Sequence, residues 1–280
     1  MQTLQAIITG SIQGLSEFLP ISSSAHIVFS NELYRILTNT QIAQAADSEE
    51  IFFDIMVHLA TLFAVIIYFF KDLKNIFKGF FVSLSNKNYK DENFKLVIYI
   101  ALSTVITGAV GFLIKERVEK IINHPEYICI LLFITGLILF FSEVKYKGNK
   151  KINLKNTIII AIAQGLAVFP GFSRSGLTIS AALFRGIDRI TAARFSFLMS
   201  IPVILFASML YPMIEFDFNQ ISTFNFKAIF CGFIASFVVG YLCIKYFMKI
   251  LSKISLKCFS YYCFIVSILM FILFRFYCHI

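Results

Sequence analysis

Near the start of the chain, Gln13, Glu17, Ser22, Ser23, Ser24 and His26 stand close together in an otherwise apolar segment. Glu17 is a carboxylate that can hold a hard divalent cation, because such ions take carboxylate and phosphate oxygens and need few protein ligands. His26 can serve as general acid, general base or nucleophile, and Ser23 is a second candidate nucleophile. Gln13 lies four residues before Glu17, on the same face of a helix, and is a secondary candidate ligand for the cation. A turn at Pro20 can bring Glu17, Ser23 and His26 together.

A second group follows Pro170, with Gly171, Ser173, Arg174, Ser175 and Thr178 in close succession. Glycine lets the backbone turn there, and the hydroxyls fall where a new helix would begin. The free N–H groups of a helix start bind anions, and an arginine adds a forked donor that matches phosphate. Ser22 and Ser24 occupy the equivalent place ahead of the helix that carries His26. If the two breaks meet, two helix starts converge on one spot, with Ser22, Ser24, Gly171, Ser173, Ser175 and Thr178 as candidate phosphate ligands. Arg174 would then stabilise charge on phosphoryl oxygens, where most catalysis of phosphoryl transfer resides. Serines in such positions also serve simply as helix N-caps.

The elements that must position these groups are membrane helices. The chain has 280 residues, 58% of them hydrophobic, including 34 Phe, only 15% charged, and a mean hydropathy of +0.80. That balance excludes an ordinary soluble domain. The net charge of +9 resides mostly in short runs between apolar segments, which argues for cytoplasmic loops and against a nucleic-acid partner. Of the six cysteines, Cys129, Cys231, Cys243, Cys258 and Cys263 lie in or beside apolar segments without metal-ligand spacing, and Cys278 is uninformative. The first thirty residues lack a basic leader region, so no cleaved signal peptide is expected.

Full-length apolar segments are predicted at about 51–70, 96–114, 127–142, 191–211, 226–248 and 258–277. Two pairs of shorter segments, 2–17 with 25–32, and 156–169 with another that follows the Pro170-Gly171 break and runs to about 185, are too short to cross a bilayer, which takes roughly twenty residues. They read as re-entrant helix-loop-helix units. The order is therefore broken pair, three spans, broken pair, three spans. Gln13-Gly14-Leu15 also aligns with Gln164-Gly165-Leu166, Pro20 with Pro170, and Ser23 with Ser173.

Lysine-rich loops at 71–95, 143–155 (Lys145, Lys147, Lys150, Lys151, Lys155) and 249–257 belong in the cytoplasm by the positive-inside rule, with a mixed connector at 115–126. Acidic stretches at 31–50 (Glu32, Asp47, Glu49, Glu50) and 212–225 (Glu215, Asp217) belong outside. The expected fold is an all-α polytopic membrane protein, one domain over 1–280, made of two inverted-topology repeats, 1–145 and 150–280. Each repeat is one re-entrant unit plus three transmembrane helices, six full spans in total. Broken helices at matching positions of inverted repeats point to a site near the bilayer midplane. Asp54 and His58 read as rim residues, Arg185, Asp188, Arg189 and Arg194 as a cytoplasmic flank, and Tyr261 and Tyr262 as part of an interfacial belt.

At these residues the chain resembles the bacterial undecaprenyl-diphosphate phosphatases, also called bacitracin-resistance proteins. The likeness runs through Gln13-x-x-x-Glu17, Pro20-x-Ser22-Ser23 with His26, and Phe53-Asp54-x-x-x-His58-Leu59. It continues in Pro170-Gly171-x-Ser173-Arg174-Ser175-Gly176-x-Thr178 and Ala193-Arg194-Phe195-Ser196-Phe197-Leu198. It implies hydrolysis of undecaprenyl diphosphate to undecaprenyl phosphate and inorganic phosphate, assisted by Mg²⁺ or Ca²⁺. That reaction recycles the carrier lipid for peptidoglycan synthesis and confers bacitracin resistance.

Glu17, Ser23, His26 and Arg174 match residues held in that family to be catalytic or phosphate-binding. The resemblance implies a multi-pass protein of the bacterial cell (inner) membrane, with its site open to the outer side and a homodimer compatible with the architecture. The chain departs from the pattern at Gln13, where many members carry a second carboxylate, at Ala25 in place of glycine, and at Cys263 in place of arginine. Inverted repeats with broken helices are also a transporter architecture, so a polyprenyl-phosphate flippase using the same site is the alternative.

Overall fold

The computed structural model describes residues 1–38, 48–122, 124–144, 148, 150–215, 221 and 223–277. Asp47, Lys145, Lys147, Asp217 and Cys278 lie outside the described residues. The described chain forms α1 (Thr3–Phe18), α2 (Ser23–Thr38), α3 (Ser48–Tyr68), α4 (Phe70–Ser85), α5 (Glu92–Ile122), α6 (Pro125–Val144), α7 (Leu154–Leu166), α8 (Arg174–Phe184), α9 (Arg189–Glu215), α10 (Phe226–Ile250) and α11 (Lys257–Tyr277). Six of these, α3, α5, α6, α9, α10 and α11, are long and apolar enough to cross a membrane. Large side chains such as Phe112 and Leu113 on α5 are about four-fifths exposed, which suits contact with lipid tails.

Two expectations need correction. The lysine-rich stretch 71–95 is mostly helix: Leu73, Ile76, Phe80 and Ser83 recur at helical spacing along the packed side of α4, while Phe70, Phe77, Phe81 and Leu84 are exposed, as are Lys71, Lys74 and Lys78. After it, the Asp91 carboxylate accepts the backbone N–H groups of Asn93 (2.8 Å) and Phe94 (3.1 Å) and starts α5. Those bonds favour the ionised form and hold the Asp91 carboxyl below its ordinary value. The mixed connector at 115–126 is likewise largely a continuation of α5, because Lys115 to Lys120 carry no helix breaker.

The two short pairs are held by close packing of small residues. Along α1, Gly10 faces Gly232 of α10 and Gly14 faces Ser236 and Gly240, so a Cβ at Gly14 would lie 2.5 Å from the Ser236 carbonyl oxygen. On the other pair, Gly165 of α7 faces Val110 and Thr107 of α5, and Thr107 Oγ1 donates to the Ala161 carbonyl at 3.2 Å. Without a hydrophobic drive between helices in lipid, such close backbone approach and interhelical hydrogen bonds provide the attraction. The first helix of each pair, α1 or α7, thus runs alongside, and in the same direction as, the middle span of the other half of the chain.

Polar contacts sort to the bundle's ends. Met1, Glu49 and Asn225 meet at one end, with the terminal ammonium 2.9 Å from Glu49. At the other end Arg189 pairs with Glu143, Arg194 with Asp72, and Lys151 with Glu92, while Arg185 donates to Asn156. The expected arginine flank is therefore assembled, with Asp188 capping α9 through the Thr191 N–H. Between the ends lies an aromatic and aliphatic core in which Phe18 meets Phe197 edge-on at 5.6 Å, beside Phe69, Phe247, Ile128 and Leu132.

Candidate active site

Both breaks come from local backbone chemistry. Helix α1 stops at Leu19-Pro20, because proline carries no N–H to continue the ladder. The chain reverses through Ser22, which adopts a left-handed φ of 70°, a strained conformation for a residue with a Cβ. Its hydroxyl then accepts the Ala25 N–H at 3.3 Å and starts α2. In the second break Gly171 takes a φ of 101°, and a Cβ there would fall 2.5 Å from the Ile128 carbonyl oxygen, so only glycine fits. Ser173 caps α8 by accepting the Gly176 N–H at 3.1 Å. Ser22 and Ser173 are therefore N-caps as well as members of the site.

The two breaks meet. Ser24 Oγ accepts the Gly171 N–H at 3.3 Å, and Ser175 Oγ donates to the Leu19 carbonyl at 3.0 Å. At their junction Arg174 Nη2 donates to Glu17 Oε1 at 2.7 Å. The other carboxylate oxygen, Oε2, accepts from Ser23 Oγ at 2.9 Å and from Gln13 Nε2 at 3.1 Å. Glu17 is 8% exposed and Arg174 17%, so the pair is largely removed from solvent.

Around this pair the hydroxyls form chains: Ser22 with Ser24 at 3.2 Å, Ser173 with Ser175 at 3.2 Å, and Thr178 with Ser196 at 2.6 Å. Thr178 is otherwise spent on backbone carbonyls of its own helix, so it braces α8 against α9. Thr135 of α6, which the sequence did not single out, accepts the Ser173 N–H at 3.3 Å and ties the second break to α6.

His26 stands one turn along α2 from Ser23, with Nδ1 2.8 Å from the Ser22 carbonyl and Nε2 2.7 Å from the hydroxyl of Tyr262 on α11. Tyr262 is therefore a contact of the site and not simply a belt residue. The signal available in the sequence was only its place beside Cys263 in the last span. Asp54 is exposed, and its backbone carbonyl lies 2.8 Å from His58 Nδ1.

A divalent cation finds limited but suitable donors here. Among the described residues no three His, Cys, Asp or Glu side chains are grouped to hold a metal. The fully buried Gln13 Oε1 has no hydrogen-bond donor, and half a turn of its carboxamide would bring it towards Glu17. One carboxylate and one neutral oxygen suit a hard cation whose remaining ligands come from phosphate or water.

Six helices long and apolar enough to cross a membrane, with two broken pairs that join a buried carboxylate, an arginine and clustered hydroxyls, define a class: multi-pass helical membrane proteins with a buried polar site between their broken helices. Residues 6–269 match the family described as Bacitracin resistance protein BacA, and the chain belongs to that family. It is similar to the undecaprenyl-diphosphatase of Methanosphaera stadtmanae, 38% identical over 271 residues, which covers 91% of this chain and 92% of that protein. The undecaprenyl-diphosphatases of Methanobrevibacter smithii (38% over 268 residues) and Saccharophagus degradans (37% over 259) are matched over the same shares of both chains.

Proposed function

We propose that the protein is an undecaprenyl-diphosphate phosphatase, releasing inorganic phosphate and leaving the lipid monophosphate. The observation that carries the reading is the buried Glu17 carboxylate held between Arg174 at 2.7 Å and Ser23 at 2.9 Å, inside a chain whose relatives bear that name.

Arg174 supplies a planar, permanently charged fork for the diphosphate oxygens. When it turns from Glu17 to the substrate, the Ser23 hydroxyl stays bonded to Oε2, which can take its proton, while Oε1 is freed and would be open to a cation. Ser23 Oγ then attacks the terminal phosphorus while Glu17 takes its proton. The new O–P bond forms as the bridging P–O bond breaks, and the electron pair leaves with the lipid monophosphate. Water next attacks the phosphoserine, releasing phosphate and restoring the hydroxyl. The N–H groups at the starts of α2 and α8 hold the phosphoryl oxygens, with Ser22, Ser24, Gly171, Ser173 and Ser175 shaping that cradle.

Glu17 and Gln13 would hold a Mg²⁺ or Ca²⁺ ion, which when bound neutralises phosphate charge. His26 is the second candidate nucleophile, but the nitrogen it would use is covered by Tyr262, which favours Ser23.

The matching contacts of α1 with α10 and of α7 with α5, entered from opposite ends of the bundle, support the inverted-repeat relation of 1–145 to 150–280. On the positive-inside rule the lysine-rich end faces the cytoplasm and the Met1 end faces outward, in a bacterial inner membrane. The flippase alternative has no relative's name behind it. The test is product analysis: purified protein given undecaprenyl diphosphate in detergent should yield lipid monophosphate and inorganic phosphate in equal amounts. Lipid crossing in vesicles without phosphate release would favour transport instead.

A further inference from the structure

His26 has both ring nitrogens engaged, and the partners dictate its protonation. The Ser22 carbonyl at 2.8 Å can only accept, so Nδ1 carries a proton. In the neutral ring Nε2 then holds a lone pair, and the Tyr262 hydroxyl at 2.7 Å donates to it. The two rings lie within 9° of parallel, with centroids 5.6 Å apart, and Phe29 flanks the imidazole on its own helix.

We propose that Tyr262 is a positioning residue for His26, fixing the imidazole through the one nitrogen able to exchange a proton. The inference rests on reading the site as a phosphatase. A tyrosine hydroxyl suits this task because it donates to the neutral ring and, after its O–H rotates away, accepts from the imidazolium. A phenylalanine of equal shape could do neither. The same contact keeps Nε2 from attacking phosphorus, so Ser23 remains the nucleophile and His26, held at both nitrogens, ties the Ser22 turn beside it to α11. Tyr262 belongs to the last span, so α11 joins α6 and α9 in supporting a site centred on the two breaks. The strained Ser22 has a stated purpose in this arrangement, since its carbonyl receives both the His26 backbone N–H at 3.3 Å and the ring Nδ1–H.

The test is Tyr262→Phe in the full-length protein, followed by two readouts. The first is the ¹⁵N resonances of ring-labelled histidine. The protein has only 4 His, and His26→Gln identifies the signal. Wild type should show Nδ1 protonated and Nε2 hydrogen-bonded, with the Nε2 signal moving to that of an unbonded lone pair in the variant. The second is kinetics: kcat should fall about tenfold to a hundredfold, the scale known for loss of the orienting partner of a metal-bound histidine, with KM nearly unchanged. An unmoved Nε2 signal, an unchanged kcat, or a kcat that rises because a blocking hydroxyl has gone would each overturn the proposal. If wild type releases no phosphate, the phosphatase reading fails, while the ¹⁵N shift still decides whether Tyr262 holds His26.

Discussion

Glu17 and Arg174 stand 157 positions apart in the chain and 2.7 Å apart in the fold, one at the end of α1 and the other at the start of α8. The bond closes the only ion pair found between the two breaks among the described residues, and it neutralises two charges that are otherwise costly at that depth. Breaking it should therefore act on stability as well as on catalysis. Arg174→Ala leaves the carboxylate uncompensated and should cost about 3–5 kcal/mol, while Glu17→Gln combined with Arg174→Met should cost less than Arg174→Ala alone. Thermal unfolding followed by circular dichroism in detergent checks the order; a double variant less stable than Arg174→Ala would contradict it.

Gly171 occupies a conformation that excludes a side chain on two counts, its φ of 101° and the Ile128 carbonyl 2.5 Å from any Cβ. Gly171→Ala should destabilise by roughly 1–3 kcal/mol and shift the start of α8, taking Arg174 with it. Both the unfolding temperature and phosphate release should fall. A variant that keeps both would mean the second break tolerates more freedom than its geometry shows.

The contact of α1 with α10 gives a paired comparison. Gly14→Val must push α1 away from the Ser236 carbonyl and so displace Glu17, whereas a Cβ at Gly108 of α5 meets nothing within 4 Å. Gly108→Ala should be neutral or stabilise by roughly 0.5–1 kcal/mol, because alanine loses less backbone entropy in a helix. Gly14→Val should lose activity and stability together. Equal behaviour of the two variants would remove the close packing from the account.

Much of this was legible in the residues. A run of about twenty apolar side chains has few alternatives to a span, and six of them were placed to within a few residues. Glu17, Ser23 and Arg174 stood out because ionisable and hydroxyl groups are conspicuous in apolar segments. Three features were hidden. Helix α4 carries a helical apolar pattern, but Lys71, Lys74 and Lys78 on its open side made the stretch look like a charged loop. Tyr262 looks like any tyrosine in a lipid-facing helix until α11 folds against α2. Thr135 is one hydroxyl in a long apolar span, and its bond to the Ser173 N–H depends on a contact between distant segments.

The nucleophile can be separated from its neighbours. Ser23→Ala removes the hydroxyl that donates to Glu17, while Ser24→Ala removes one that braces Gly171. Ser23→Ala should abolish formation of a phosphorylated protein after rapid quenching, and Ser24→Ala should keep it at reduced rate. Trapped phosphate on any residue other than Ser23 would reassign the attacking group.

The central claim is that the meeting point of the two breaks is where a lipid diphosphate is cleaved. Its most direct measurement is the rate of phosphate release from undecaprenyl diphosphate by folded, purified wild type and by Glu17→Ala, Ser23→Ala and Arg174→Ala. Each substitution is expected to lower kcat/KM by at least about a hundredfold, the scale of losing a positioned acid–base or charge-stabilising group. Release by all three variants at the wild-type rate would place the chemistry elsewhere.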